Sequence, residues 1–144
     1  VRVWTGSDVA VVGHSAVVGG EPLVRRARRW LRDVVERAAP WVEIGDVDLL
    51  ASEVLTNAVR HTASREPGRS VVVAVAWEAG VVRVSVTDEG WAKSRPQVRT
   101  ASEVAEMGRG LALLDALAAG WGHEVGPGLG CPVTVWFEMK EVRA

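Results

Sequence analysis

The stretch Asp46-Val-Asp-Leu-Leu-Ala-Ser-Glu-Val-Leu-Thr-Asn-Ala-Val-Arg-His-Thr62 decides the reading of this chain. Wound at about 100° per residue, Val47, Leu50, Ala51, Val54, Leu55 and Ala58 form one apolar arc. Glu53, Asn57 and His61 follow at four-residue spacing along its edge. This predicts a helix whose polar stripe faces a crevice. A carboxylate and a carboxamide at the margin of a buried face are costly to desolvate without a partner. That partner is either a bound ion or ligand, or the local backbone, and three polar residues in register weaken the second account without removing it.

Outward from this helix, Glu21-Pro22 opens an earlier one, because proline suits a first helical turn. Leu23, Ala27, Trp30, Leu31 and Val34 give it a core face, and Pro40 ends it. Arg25, Arg26, Arg28, Arg29, Arg32 and Arg37 crowd the remainder, with only Asp33 and Glu36 as acids on the same helix. Such a face either docks an acidic partner or is merely solvated. Asp46 is the expected N-cap of the second helix, which runs to the loop at Ser64 to Gly68.

Two valine-rich runs, Ser70 to Trp77 and Val81 to Asp88, flank Glu78-Ala-Gly80 and read as an antiparallel hairpin. Val82, Val84, Val86 and Asp88 share parity, so the acid points the same way as the apolar row. Trp91 to Met107 reads as a loop. Gly108-Arg-Gly110 is expected to precede a helix from Leu111 to Ala119, with Gly120 as C-cap. Strands at Trp121 to Val125 and Val133 to Met139 flank a turn at Gly126 to Gly130. The expected fold is α+β, a two-layer sandwich with a mostly antiparallel mixed sheet covered on one face by about three helices.

At 144 residues and 48% hydrophobic content, one domain over residues 21–144 accounts for the chain, preceded at 1–20 by an irregular segment or edge strand. A net charge of −1 gives the whole molecule no reason to seek nucleic acid or anionic membrane. A single cysteine, Cys131, excludes an intramolecular disulfide, and no zinc spacing is present, so a reducing cytoplasm is the expected compartment. The first 20 residues are too often interrupted by polar groups for a membrane span or signal segment.

Taken in order, the motifs resemble the ATP-binding domain of the GHKL superfamily, the Bergerat fold shared by gyrase, a heat-shock chaperone, sensor histidine kinases and a mismatch-repair ATPase. Within it the chain looks most like stand-alone serine/threonine kinases that act as bacterial anti-sigma factors. The resemblance spans about Pro22 to Met139. It implies that Asn57, in Glu53-Val-Leu-Thr-Asn57-Ala-Val-Arg-His61, holds Mg²⁺, that Glu53 is the base for the attacking hydroxyl, and that His61 lies along the nucleotide.

Asp88-Glu-Gly90 is similar to the adenine-recognition box: the aspartate would accept the exocyclic amine, and Gly90 would let the ring approach. An ordinary strand-ending turn is the other reading of those three residues. Gly108-Arg109-Gly110-Leu111 is similar to a phosphate-binding glycine box at a helix start, with Arg109 either on phosphate or in solvent. Thr134 matches loosely the box whose threonine holds a water beside adenine, and Val133 competes for that place. Ala92 departs from the pattern where many relatives carry glycine, and Lys93, Arg95 and Arg99 fall on the short phosphate lid.

The resemblance therefore implies ATP and Mg²⁺ as cofactors, with a sigma factor and a STAS-type anti-anti-sigma protein as partners, engaged through the helix from Arg25 to Arg37. It also implies a homodimer. Two rival functions stay open: a nucleotide-binding regulatory module without phosphotransfer, and a detached catalytic domain of a histidine kinase. No Walker A loop or eukaryotic kinase signature is present.

Overall fold

A computed structural model describes residues 3–13, 22–60, 70–90, 101–125 and 132–142. His61, the loop at Ser64 to Gly68, Ala92, Lys93, Arg95 and Arg99 of the expected lid, the turn at Gly126 to Gly130 and Cys131 lie outside them. Eight elements follow along the chain: β1 (Gly6–Gly13), α1 (Leu23–Ala38), α2 (Ile44–Arg60), β2 (Ser70–Glu78), β3 (Val81–Thr87), α3 (Ala101–Leu117), β4 (Gly120–Val125) and β5 (Val133–Lys140). The strands make one five-stranded sheet in the order β1-β2-β3-β5-β4, every neighbouring pair antiparallel. The expected α+β sandwich is what forms, with a sheet more uniformly antiparallel than the sequence suggested.

Register explains how the valine runs build the core. Val73 pairs with Val86, Val75 with Val84 and Val84 with Phe137, so these side chains project from one face. All of them are buried, together with Val71, Val82 and Met139. The helices close over that face: α1 packs on β1 and β2, α2 on β3, and α3 on β4. From α2 they receive Val47, Leu50, Ala51, Val54, Leu55 and Ala58, the whole arc read from the sequence, all buried.

The other face of the sheet carries Arg83, Trp136 and Glu138. Arg83 Nε donates to Glu138 Oε2 at 2.9 Å, and its guanidinium lies 4.0 Å from the Trp136 ring and 5.5 Å from that of Trp4. Glu138 is buried beneath this stack. Flanking rings supply apolar cover and π-electron density to a cation that neutralises the acid.

Several boundaries differ from the sequence reading, each for a local reason. Pro22 occupies the N-cap position of α1 with φ −56° and offers its carbonyl to Arg26 N–H at 3.2 Å. Asp46 is not an N-cap. The second helix starts at Ile44, and the Glu43 carbonyl accepts the N–H groups of Asp46 and Val47. Asp46 instead places its charge in the first turn, where the helix dipole favours it.

The largest correction concerns α3, which begins at Ala101, ten residues before the expected start. Ala101-Ser-Glu-Val-Ala-Glu-Met107 is rich in strong helix formers, and their propensity carries the helix through two glycines. Gly120 does not cap it either. The helix stops at Leu117, Ala119 N–H bonds the Glu138 carbonyl, and Gly120 is the first residue of β4.

Candidate functional site

Along α2, Glu53 and Asn57 stand one turn apart and half-buried at the edge of the apolar arc. Gly110 of α3 lies directly over them and is itself buried. A Cβ at position 110 would fall 3.3 Å from Asn57 Nδ2 and 3.5 Å from Glu53 Oε2. Glycine thus lets α3 approach the polar stripe closely enough to touch both functional groups. Two motifs some fifty residues apart in sequence are brought together here.

The phosphate-cradle reading of Gly108-Arg109-Gly110-Leu111 needs correction. These residues lie inside α3, not at its N-terminus, so the helix dipole does not focus on them as arranged here. Arg109 and Leu111 are exposed. Gly110 contributes a close helix contact in this arrangement.

At the end of β3, Asp88 is buried in line with Val82, Val84 and Val86, as strand parity required. Its Oδ1 accepts the Gly90 N–H at 2.7 Å and the Val133 N–H at 3.2 Å. The buried carboxylate therefore already has two backbone donors, so its burial does not by itself require a ligand. Gly90 has φ 69°, a conformation that L side chains rarely adopt. The turn demands glycine there whatever it binds.

Thr134 is displaced from the place the motif match gave it. It pairs in register with Thr87, and the two hydroxyls meet at 2.7 Å. Both lie on the sheet face opposite to the Asp88 side chain, since Thr87 and Asp88 are successive residues of the strand. Val133 is the residue beside Asp88: its carbonyl accepts the Asp88 N–H at 3.0 Å and its own N–H reaches the carboxylate. One step in register exchanges a hydroxyl for an isopropyl group.

Sequence reasoning also missed Glu89, whose Oε2 accepts the Ser70 N–H at 2.7 Å. Only the three-dimensional register of β2 against β3 could disclose that bond. His61 falls outside the described residues, and Gly108 is seen only as part of the α3 backbone.

The arginines of α1 differ in their surroundings. Arg28 pairs with Asp48 of α2, Nε to Oδ1 at 3.3 Å and an amino nitrogen to Oδ2 at 2.8 Å, and Arg26 donates to the Gly13 carbonyl. The Asp48 hydrogen bond, aided by its charge and opposed by burial, raises the Arg28 pKa further above its ordinary value. Arg32 reaches Glu36 at 3.0 Å. Arg25, Arg29, Arg32 and Arg37 remain exposed.

A polar stripe on a core helix, a glycine contact above it and a buried Asx turn at a strand end thus lie on an α+β scaffold with its helices on one sheet face. Residues 21–126 match the family described as the histidine kinase-like ATPase domain, and the chain belongs to that family. No curated protein matches the chain. Family membership carries ATP binding with it. Among the described residues no helix is long and apolar enough to cross a membrane.

Proposed function

We infer that this protein is an ATP·Mg²⁺-dependent serine/threonine kinase and anti-sigma factor, which phosphorylates an anti-anti-sigma protein and sequesters a sigma factor in a bacterial cytoplasm. The observation that carries the reading is the convergence of Glu53, Asn57 and Gly110 at one point. It supports a polar site between α2 and α3 to which a carboxylate and a carboxamide both contribute.

The donor set suits magnesium, which prefers hard oxygen ligands and accepts few from protein when phosphate and water supply the rest. Asn57 would hold the ion through its carboxamide oxygen. An ion held there would supply charge neutralisation to the phosphates.

The residues of the chain then divide the work. Asp88 accepts the exocyclic amine of adenine at the base end, its carboxylate oriented beforehand by the Gly90 and Val133 amides. Glu53 takes the proton from the attacking serine or threonine hydroxyl as oxygen adds to the γ-phosphorus and the bond to ADP breaks. One carboxylate suffices, because phosphoryl transfer rests mainly on alignment and charge neutralisation. Exposed Arg25, Arg29, Arg32 and Arg37 on α1 offer guanidinium groups to an acidic partner face.

Radiolabelled ATP with a cognate anti-anti-sigma protein tests the chemistry. Wild type should transfer phosphate and Glu53→Ala should not, while still binding nucleotide. Transfer that survives the substitution removes Glu53 as base. ATP-dependent partner binding without any transfer by wild type would instead identify a nucleotide-gated binding module.

A further inference from the structure

At the end of β3, side chains take over from the backbone ladder on both flanks. Toward β2 the paired residues end at Val72–Thr87. Continued two residues further, that register sets Ser70 opposite Glu89, and there the Ser70 N–H bonds Glu89 Oε2 at 2.7 Å. Toward β5 the pairs end at Thr87–Thr134. Beyond them the Val133 N–H bonds Asp88 Oδ1 at 3.2 Å. The Val133 carbonyl still accepts the Asp88 N–H at 3.0 Å, and the chain then turns at Gly90, φ 69°.

We propose that Glu89 is a positioning residue for the base-binding carboxylate: it ties the Asp88–Gly90 turn to β2 and so fixes the direction in which Asp88 presents its acceptor oxygens. The proposal rests on the nucleotide reading above. Its physical content is a division of labour between adjacent acids. Asp88 shares its carboxylate between two amides and the ligand, whereas Glu89 holds the opposite flank of the same turn. A carboxylate accepting a backbone N–H forms a charge-assisted bond, stronger than a neutral one. Loss of the Glu89–Ser70 bond removes a tie to β2 and shifts load onto Asp88, the group that has to stay oriented.

The experiment compares wild type, Glu89→Ala and Glu89→Gln as full chains. Hydrogen exchange of the Ser70 and Gly90 amides is measured without nucleotide, and the Kd for ATP·Mg²⁺ by calorimetry. Glu89→Ala should speed exchange at Ser70 and Gly90 about tenfold or more, with core amides such as that of Val84 unchanged, and raise Kd by about tenfold. Glu89→Gln keeps an acceptor oxygen at the same reach. It should restore both quantities to within about threefold of wild type.

Wild type that binds ATP while Glu89→Ala leaves Gly90 exchange and Kd unchanged overturns the proposal alone. Equal weakening by Ala and Gln also overturns it, because charge rather than the hydrogen bond would then be responsible. Wild type indifferent to ATP overturns the nucleotide reading and, with it, the positioning role.

Discussion

Gly110→Ala separates the two tasks that α3 performs. Alanine in a helix interior is better than glycine by about 0.8–1.0 kcal/mol, so the substitution favours the fold on propensity alone. Against this, the new methyl lands 3.3 Å from Asn57 Nδ2, which must give by a few tenths of an ångström, and 3.5 Å from Glu53 Oε2, an ordinary contact. Pushing Asn57 off its rotamer costs about 0.5–1.5 kcal/mol. The two effects nearly cancel, and stability should stay within about 1 kcal/mol of wild type.

Function should not cancel. Misplacement by 1 Å costs on the order of 100-fold in a positioned reaction, so a shift of Asn57 by a few tenths of an ångström should lower phosphotransfer about three- to tenfold. Urea titration at constant m-value reports the first quantity, and initial rates with radiolabelled ATP report the second. A variant as stable as wild type that transfers phosphate at the wild-type rate would refute the placement of chemistry at this contact.

Three further outcomes are expected. Arg83→Met removes the cation above buried Glu138 and should destabilise the fold by about 2–3 kcal/mol, below the fully buried range because Arg83 keeps 31% of its side-chain surface exposed; chemical denaturation of the variant and of the double variant with Glu138→Gln should show partial recovery in the latter. Arg28→Ala breaks the α1–α2 ion pair, but with Arg28 40% exposed the loss should be under about 1 kcal/mol and shrink further in high salt. Val133→Thr keeps the branched shape beside Asp88 and adds the hydroxyl that register moved to Thr134; ATP affinity by fluorescence titration should rise about two- to fivefold.

Much of this architecture was legible because burial obeys simple periods. The arc on α2 and the parity of Val82, Val84, Val86 and Asp88 needed only 3.6 and 2 residues per repeat, and every member is buried. Helix α3 was not legible in the same way. Two glycines look like a boundary, yet the close contact of Gly110 with Asn57 and Glu53 is long-range and can outweigh their local cost. Thr134 shows the fragility of motif matching near a strand end, since one residue of slip moves a side chain to the other face. Glu89 and Asp48 were invisible as partners because their bonds join segments whose relative register the sequence does not state.

The central claim is that a purine nucleotide lies with its base on Asp88 and its phosphates beside Asn57. Calorimetric titration of wild type and Asp88→Asn with ATP·Mg²⁺ tests it most directly, since asparagine keeps an oxygen for the Gly90 and Val133 amides and alters chiefly the group offered to adenine. Wild type should bind one ATP per chain, and Asp88→Asn should bind roughly ten- to hundredfold more weakly, the scale of a charged hydrogen bond worth about 1.5–3 kcal/mol. Equal affinities in the two proteins, or no heat in either, would contradict the account.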